Sequence, residues 1–393
     1  MNFKIVEFKE WLFNEVDWEK FQDASKVCIS PEDLASKLND ELERLKIPAN
    51  KRPRFKRGVF PQIFSKNIPL LPILQEPDGS REKDDLGEMP AEIDIEQFKS
   101  DITRIPDTIF EMGDKSKHTN EYDPDVFTVN TGIPALRTVI WDEDNKKFYV
   151  LNTCPSAGSC ADNCYALKGF YIMSKGKNLK LTQRINMLVN HPKEYESRIL
   201  KELRKFAFEA ELDNKKLKIR WNDAGDFFSD VYFYIAVNVT NELKKLHGKH
   251  IESYAYTKSG KYVPLGKEHG FVMNFSMEGK PSDRLDKRAL GKTKLSVIVP
   301  RAVFKGIFER KTKEQSINQF KDFESGREEL KKRIWEKYKD QHKFDLDSLK
   351  YTDEIIGKHE GKKYKYNAIV LQSGDSDVGA QRRDVRISFL LEH

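Results

Sequence analysis

Cysteine is scarce in this chain, with four in 393 residues. A disulfide scaffold of the kind that holds small secreted domains together is therefore not expected. Long hydrophobic runs are missing too. The longest apolar stretches, such as SVIVP at 296–300, are strand-sized, far short of the roughly 20 residues that cross a bilayer. The opening MNFKIVEFKEWLFNEVDWEK carries too many acids and lysines for a secretory signal. Neither an internal repeat nor a low-complexity tract interrupts the sequence. These absences lead to an expectation of a soluble, cytoplasmic protein with no membrane partner. Charge of one sign is also in short supply: 69 Lys and Arg face 63 Asp and Glu, a net charge of +6 with pI near 8.8. That balance permits a nucleic-acid partner without requiring one. Local basic runs, Lys51 to Arg57 and Arg382-Arg383, are the more suggestive feature.

Apolar residues make up 38% of the chain, enough for one large core or two moderate ones. Residues 1–73 read as mostly helical. SPEDLASKLNDELERLKI at 30–47 supplies a Ser30 cap, a proline at the first helical position and Leu34, Leu38, Leu42 and Leu45 at helical spacing. Residues 75–98, rich in acids, Pro and Gly, read as a linker within an accessory region spanning 1–120.

From about 121 onward, strands alternate with helices. TVIWDEDNKKFYVLNT reads as a hairpin and EYESRILKELRKFAFEAEL as a long helix. LKIRW, SYAYT, FVMNFS, KLSVIVP and NAIVL read as strands, with VYFYIAVNVTNELKKL and PSDRLDKRAL as helices. This alternation predicts an α/β fold with a parallel sheet, and a (β/α) barrel-like catalytic domain over 121–393. Asp223 and Asp226, Thr257 and Lys258, Asn274 and Ser276, and Ser373 and Asp375 all fall at or just past strand C-termini. That is the edge where barrels and open α/β sheets carry their sites.

Three of the four cysteines crowd into TCPSAGSCADNCYA as Cys154, Cys160 and Cys164. With His191 further on, they make a possible Cys3His zinc set, closed and structural. Three thiolates could instead hold a [4Fe–4S] cluster with S-adenosylmethionine on its open iron. Three unligated thiols are the plain alternative. The second focus is RWNDAGDFFSD, residues 220–230. Its Asp223 and Asp226 flank a glycine turn and could divide into a nucleophile and a general acid or base. Asp230 reads as the cap of the following helix. Asp375, with Asp377, is an alternative for either catalytic role.

CADNCYA, RWNDAGDFFS and YAYTKSG together resemble phage proteins that we associate with DpdA-type DNA transglycosylases, relatives of tRNA-guanine transglycosylase. The resemblance covers roughly residues 126–300. It implies a barrel fold, a zinc on Cys154, Cys160, Cys164 and His191, and exchange of guanine in DNA for a free 7-deazaguanine base. Asp226 would be the nucleophile and Asp223 the acid or base. The flipped base would stack on aromatic neighbours such as Phe227, Phe228, Tyr254 and Tyr256, with Asn274 and Ser276 as further base contacts. Lys258, Arg382 and Arg383 would neutralise phosphates. Phage proteins with the same CYA motif are suspected of radical-SAM-like chemistry. A non-catalytic, zinc-stabilised nucleic-acid-binding protein is the third possibility.

Overall fold

A computed structural model describes residues 24–46, 93–112, 125–158, 177–283, 293–299, 368–371 and 387–391, together with Phe21 and a few other single positions. The basic run at 51–57, most of the acidic linker, Ser373, Asp375, Asp377, Arg382 and Arg383 lie outside the described residues. The chain divides into two compact units. The first comprises Met1–Met112, Thr128–Ala157 and Cys164–Ser253; the second comprises Gly113–Phe127, Gly158–Asn163 and Tyr254–His393.

In the first unit, β1 (Lys26–Ile29), β4 (Arg137–Asp142) and β5 (Lys147–Asn152) form an antiparallel sheet in the order β1-β5-β4. The β4–β5 hairpin is the one read from sequence. Asp142 Oδ1 accepts the Asp144 and Asn145 backbone N–H groups, which closes the turn as an Asx motif does. Helix α1 (Pro31–Lys46) begins where expected, with Ser30 Oγ accepting from the Asp33 N–H. Helix α2 (Ile95–Thr103) starts inside what reads as linker, because the Asp94 carboxylate caps it through Glu96 and Gln97. Leu34, Leu38, Phe98 and Ile102 from these helices pack with Val139, Phe148 and Val150 of the sheet.

The rest of the first unit is built on β2 (Glu111–Met112), β3 (Val126–Asn130) and β6 (Lys216–Trp221), with β2 antiparallel to β3. Three helices complete it: α3 (Lys177–Asn190), α4 (Pro192–Leu212) and α5 (Asp230–His247), the last two being those read from the sequence. Helix α5 is apolar on most faces and correspondingly buried, from Val231 and Tyr232 through Leu243. It is capped by Ser229, whose side chain accepts the Tyr232 N–H. Asp230, expected to be the cap, is instead the first helical residue, where a carboxylate complements the helix dipole.

The second unit holds a parallel sheet in the order β10-β11-β9-β8-β7, from β7 (Ile251–Thr257), β8 (Val272–Ser276), β9 (Lys294–Val299), β10 (Ala368–Leu371) and β11 (Ile387–Leu391). Helix α6 (Tyr262–Glu268) connects β7 to β8. Among the described residues the sheet is open and no barrel closes. A short 3-10 turn at Pro281–Asp283 opens the segment read as helix; the described residues leave the rest of that segment aside.

Candidate active site

Strand β6 ends at Trp221, and the chain then turns sharply through Asn222-Asp223-Ala224-Gly225-Asp226. Two residues of this turn take the left-handed region, Asn222 at φ 61° and Gly225 at φ 77°. Glycine adopts that conformation at no steric cost, and asparagine is among the few other residues that tolerate it. The turn is fastened on both sides. The Asp223 N–H donates to Thr131 O at 2.7 Å, the Ile133 N–H to Ala224 O at 3.1 Å, and the Asp226 N–H to Thr153 O at 3.0 Å. Thr153 immediately precedes Cys154, so the aspartate turn and the start of the cysteine loop are held together.

The two expected carboxylates differ in setting. Asp226 is 1% exposed, and its Oδ1 accepts the Phe227 N–H at 2.8 Å. Asp223 is less buried and pairs with Arg220, Nη1 to Oδ1 at 3.2 Å. Thr131 ties this region to the interior: its Oγ1 donates to Ile109 O at 2.9 Å. Ile109 and Phe110 in turn donate their N–H groups to the Glu202 carboxylate.

Of the aromatic residues expected to stack on a base, Phe227 and Phe228 are core residues. Phe227 packs at 5.1 Å from Phe233, and Phe228 stacks on Phe21. Both flank Tyr232 at 5.6 Å. Tyr232 is fully buried and donates its hydroxyl to Asn222 Oδ1 at 2.8 Å. Burial pushes the Tyr232 phenol well above its ordinary value, and the charges of Tyr195 and Asp226 add to that shift while Arg184 opposes it. Asn222 and Tyr232 were missed in the sequence. The only signal was an asparagine directly before an Asp-Ala-Gly turn, a residue type that favours such positions.

The thiols are disposed as follows. Cys154 is buried and its Sγ accepts the Leu136 N–H at 3.3 Å. Cys164, half-buried, packs against Ala135, Ala166, Leu181 and Ala224 of the aspartate turn. Cys160 is buried. His191 lies at the start of α4 and pairs with Glu143, Nε2 to Oε2 at 3.2 Å. Among the described residues, no group of three or more His, Cys, Asp or Glu side chains is arranged to hold a metal ion. No step below runs through a metal ion or a cluster.

In the second unit, the expected residues line the C-terminal ends of parallel strands. The Tyr256↔Asn274 pair joins β7 to β8, and Ser276↔Ser296 joins β8 to β9. Asn274 is fully buried and Ser276 nearly so. Lys258 directly follows β7, where Thr257 Oγ1 accepts the Ser259 N–H and turns the chain. Gly158 of the cysteine loop sits so close to the turn after β8 that a Cβ there would come 2.5 Å from Glu278 O.

An α/β protein with acidic groups at a strand's C-terminal end is the class these features define. The chain belongs to the Gene product 88 family, a phage-derived family whose model matches residues 115–315, just over half of its length. That span contains the cysteine loop, the aspartate turn and β7 to β9. Comparisons with curated proteins and with solved structures find no match. Among the described residues no helix is long and apolar enough to cross a membrane.

Proposed function

We propose that the chain is a DNA-modifying transglycosylase that exchanges guanine for a free 7-deazaguanine base. The observation that carries this reading is Asp226, a carboxylate only 1% exposed, held in a strained turn at the C-terminal end of β6 beside Asp223. Burying a carboxylate is costly, and α/β sheets do their chemistry at this edge. In the proposed reaction an Asp226 carboxylate oxygen attacks C1′ of the nucleotide. The C1′–N9 bond breaks, and its electron pair leaves with guanine, which takes up a proton. The incoming base loses a proton, attacks C1′ and breaks the bond to Asp226, restoring the carboxylate. Asp223, paired with Arg220 and less buried, carries the proton between the two bases. The burial of Asp226 keeps out water, which would otherwise hydrolyse the sugar–enzyme intermediate.

One observation favours a second reading. Asp226 Oδ1 accepts from Phe227 and Asp223 pairs with Arg220, so both could simply shape the turn of a non-catalytic nucleic-acid-binding protein. Asp226→Asn separates the two, because it keeps the acceptor and removes the charge. The assay is release of labelled guanine from DNA in the presence of a 7-deazaguanine. Exchange by wild type and a loss of roughly three orders of magnitude in Asp226→Asn are expected for a nucleophile. Wild-type turnover by the variant would remove Asp226 from the reaction.

A further inference from the structure

Asn222 joins strand β6 to the aspartate turn, and two of its features set it apart. The first is backbone strain: a residue other than glycine sits at φ 61° directly after a strand. The second is its amide. The side chain is 4% exposed, and Nδ2 has no hydrogen-bond partner among the described residues. Buried amide N–H groups nearly always find an acceptor, and one that does not asks for a reason. The other half of the same amide is firmly held, since Oδ1 accepts from Tyr232 Oη at 2.8 Å.

Tyr232 has little freedom to release it. Its ring is fully buried and packed against Phe227 and Phe228. Burial also keeps its phenol protonated far above neutral pH, so it acts as the donor in this pair. A donor on Tyr232 fixes which atom of the amide is the oxygen, and leaves Nδ2 as the unspent donor of the aspartate turn. Ordered, desolvated and unspent, such a donor is suited to an acceptor on a bound molecule.

We propose that Asn222 Nδ2 is a recognition donor for a hydrogen-bond acceptor on a heterocyclic base, a ring carbonyl or ring nitrogen, and that Tyr232 is the positioning residue that orients it. This rests on the base-exchange reading for the identity of the ligand, while the test is built so that each can fail alone. Guanine is titrated into the full-length protein by calorimetry, and exchange from DNA is measured in parallel. Asn222→Gly and Asn222→Asp both tolerate a positive φ, so the turn survives in each. The first removes the donor and the second replaces it with an acceptor.

Guanine binding is expected to weaken about tenfold or more in Asn222→Gly and further in Asn222→Asp. In Tyr232→Phe the amide remains but is no longer oriented, so KM should rise more than kcat falls. Unchanged guanine affinity in both Asn222 variants, with exchange intact, would overturn the recognition role and leave the base-exchange reading standing. Guanine binding that depends on Asn222 in a protein that performs no exchange would do the reverse. Wild-type protein that neither binds guanine nor performs exchange would overturn both.

Discussion

At Gly225 the backbone sits at φ 77°, and a Cβ there would approach Ile133 Cγ1 to 2.4 Å. Both facts penalise any side chain. Gly225→Ala should cost roughly 1–2 kcal/mol for the left-handed backbone and about 1–3 kcal/mol more for overpacking against Ile133. A urea midpoint equal to that of wild type would show that the turn relaxes freely. The cysteines allow a second test at this scale. Cys28 is exposed, Cys164 half-buried, and Cys154 and Cys160 are buried. A thiol reagent should therefore modify Cys28 first and Cys164 more slowly, with the other two reacting only on unfolding. Fast modification of Cys154 in the native protein would contradict its burial. Of the site itself, the sequence revealed the acidic turn and the cysteine cluster, because residue type and spacing carry those signals. It did not reveal Asn222 or Tyr232: the bond between them is made by a turn and a helix start that come together only after folding.

Helix α4 holds the segment before β2 through one side chain. Glu202 accepts the N–H groups of Ile109 and Phe110 at 2.9–3.1 Å, while Arg184, 1% exposed, pairs with Glu111 at 2.7 Å. Truncation by Glu202→Ala would orphan two partly buried backbone donors at about 1–3 kcal/mol each. The same change would loosen Ile109, to which Thr131 is bonded, and through Thr131 the Asp223 N–H. The expected outcome is a lower melting temperature together with a weaker exchange rate; loss of stability alone would uncouple the clamp from the turn. Long periodic elements such as α1, α4 and α5 were legible because their apolar spacing and caps agree. Shorter ones were not. Helix α6 contains Pro264 and Gly266, which weaken a helical pattern, yet proline is tolerated in a helix's first turn, where its missing N–H has no partner to lose. Strands β1 and β11 are four and five residues long, too brief for alternation to register.

Strand–helix alternation specifies a parallel sheet but not whether it closes. Closure depends on strand number and on the stagger between neighbours, neither of which leaves a mark in the order of elements. The open β10-β11-β9-β8-β7 sheet is therefore compatible with the same pattern that suggested a barrel. Charge is the other property that belongs to the whole chain. An excess of only six positive charges over 132 charged side chains (69 + 63) generates little long-range attraction. Any affinity for DNA must then come from local cations, and the densest cluster in the sequence is Lys51, Arg52, Arg54, Lys56 and Arg57. Affinity for duplex DNA should fall linearly on a log–log plot against salt, by about 0.9 for each phosphate neutralised. Replacing those five residues with glutamine should flatten that slope, and Arg382→Gln with Arg383→Gln should flatten it by roughly 0.9 per lost contact. If neither change alters the slope, these runs are solvated surface, and the phosphate contacts must be sought among the cations at the strand ends, beginning with Lys258.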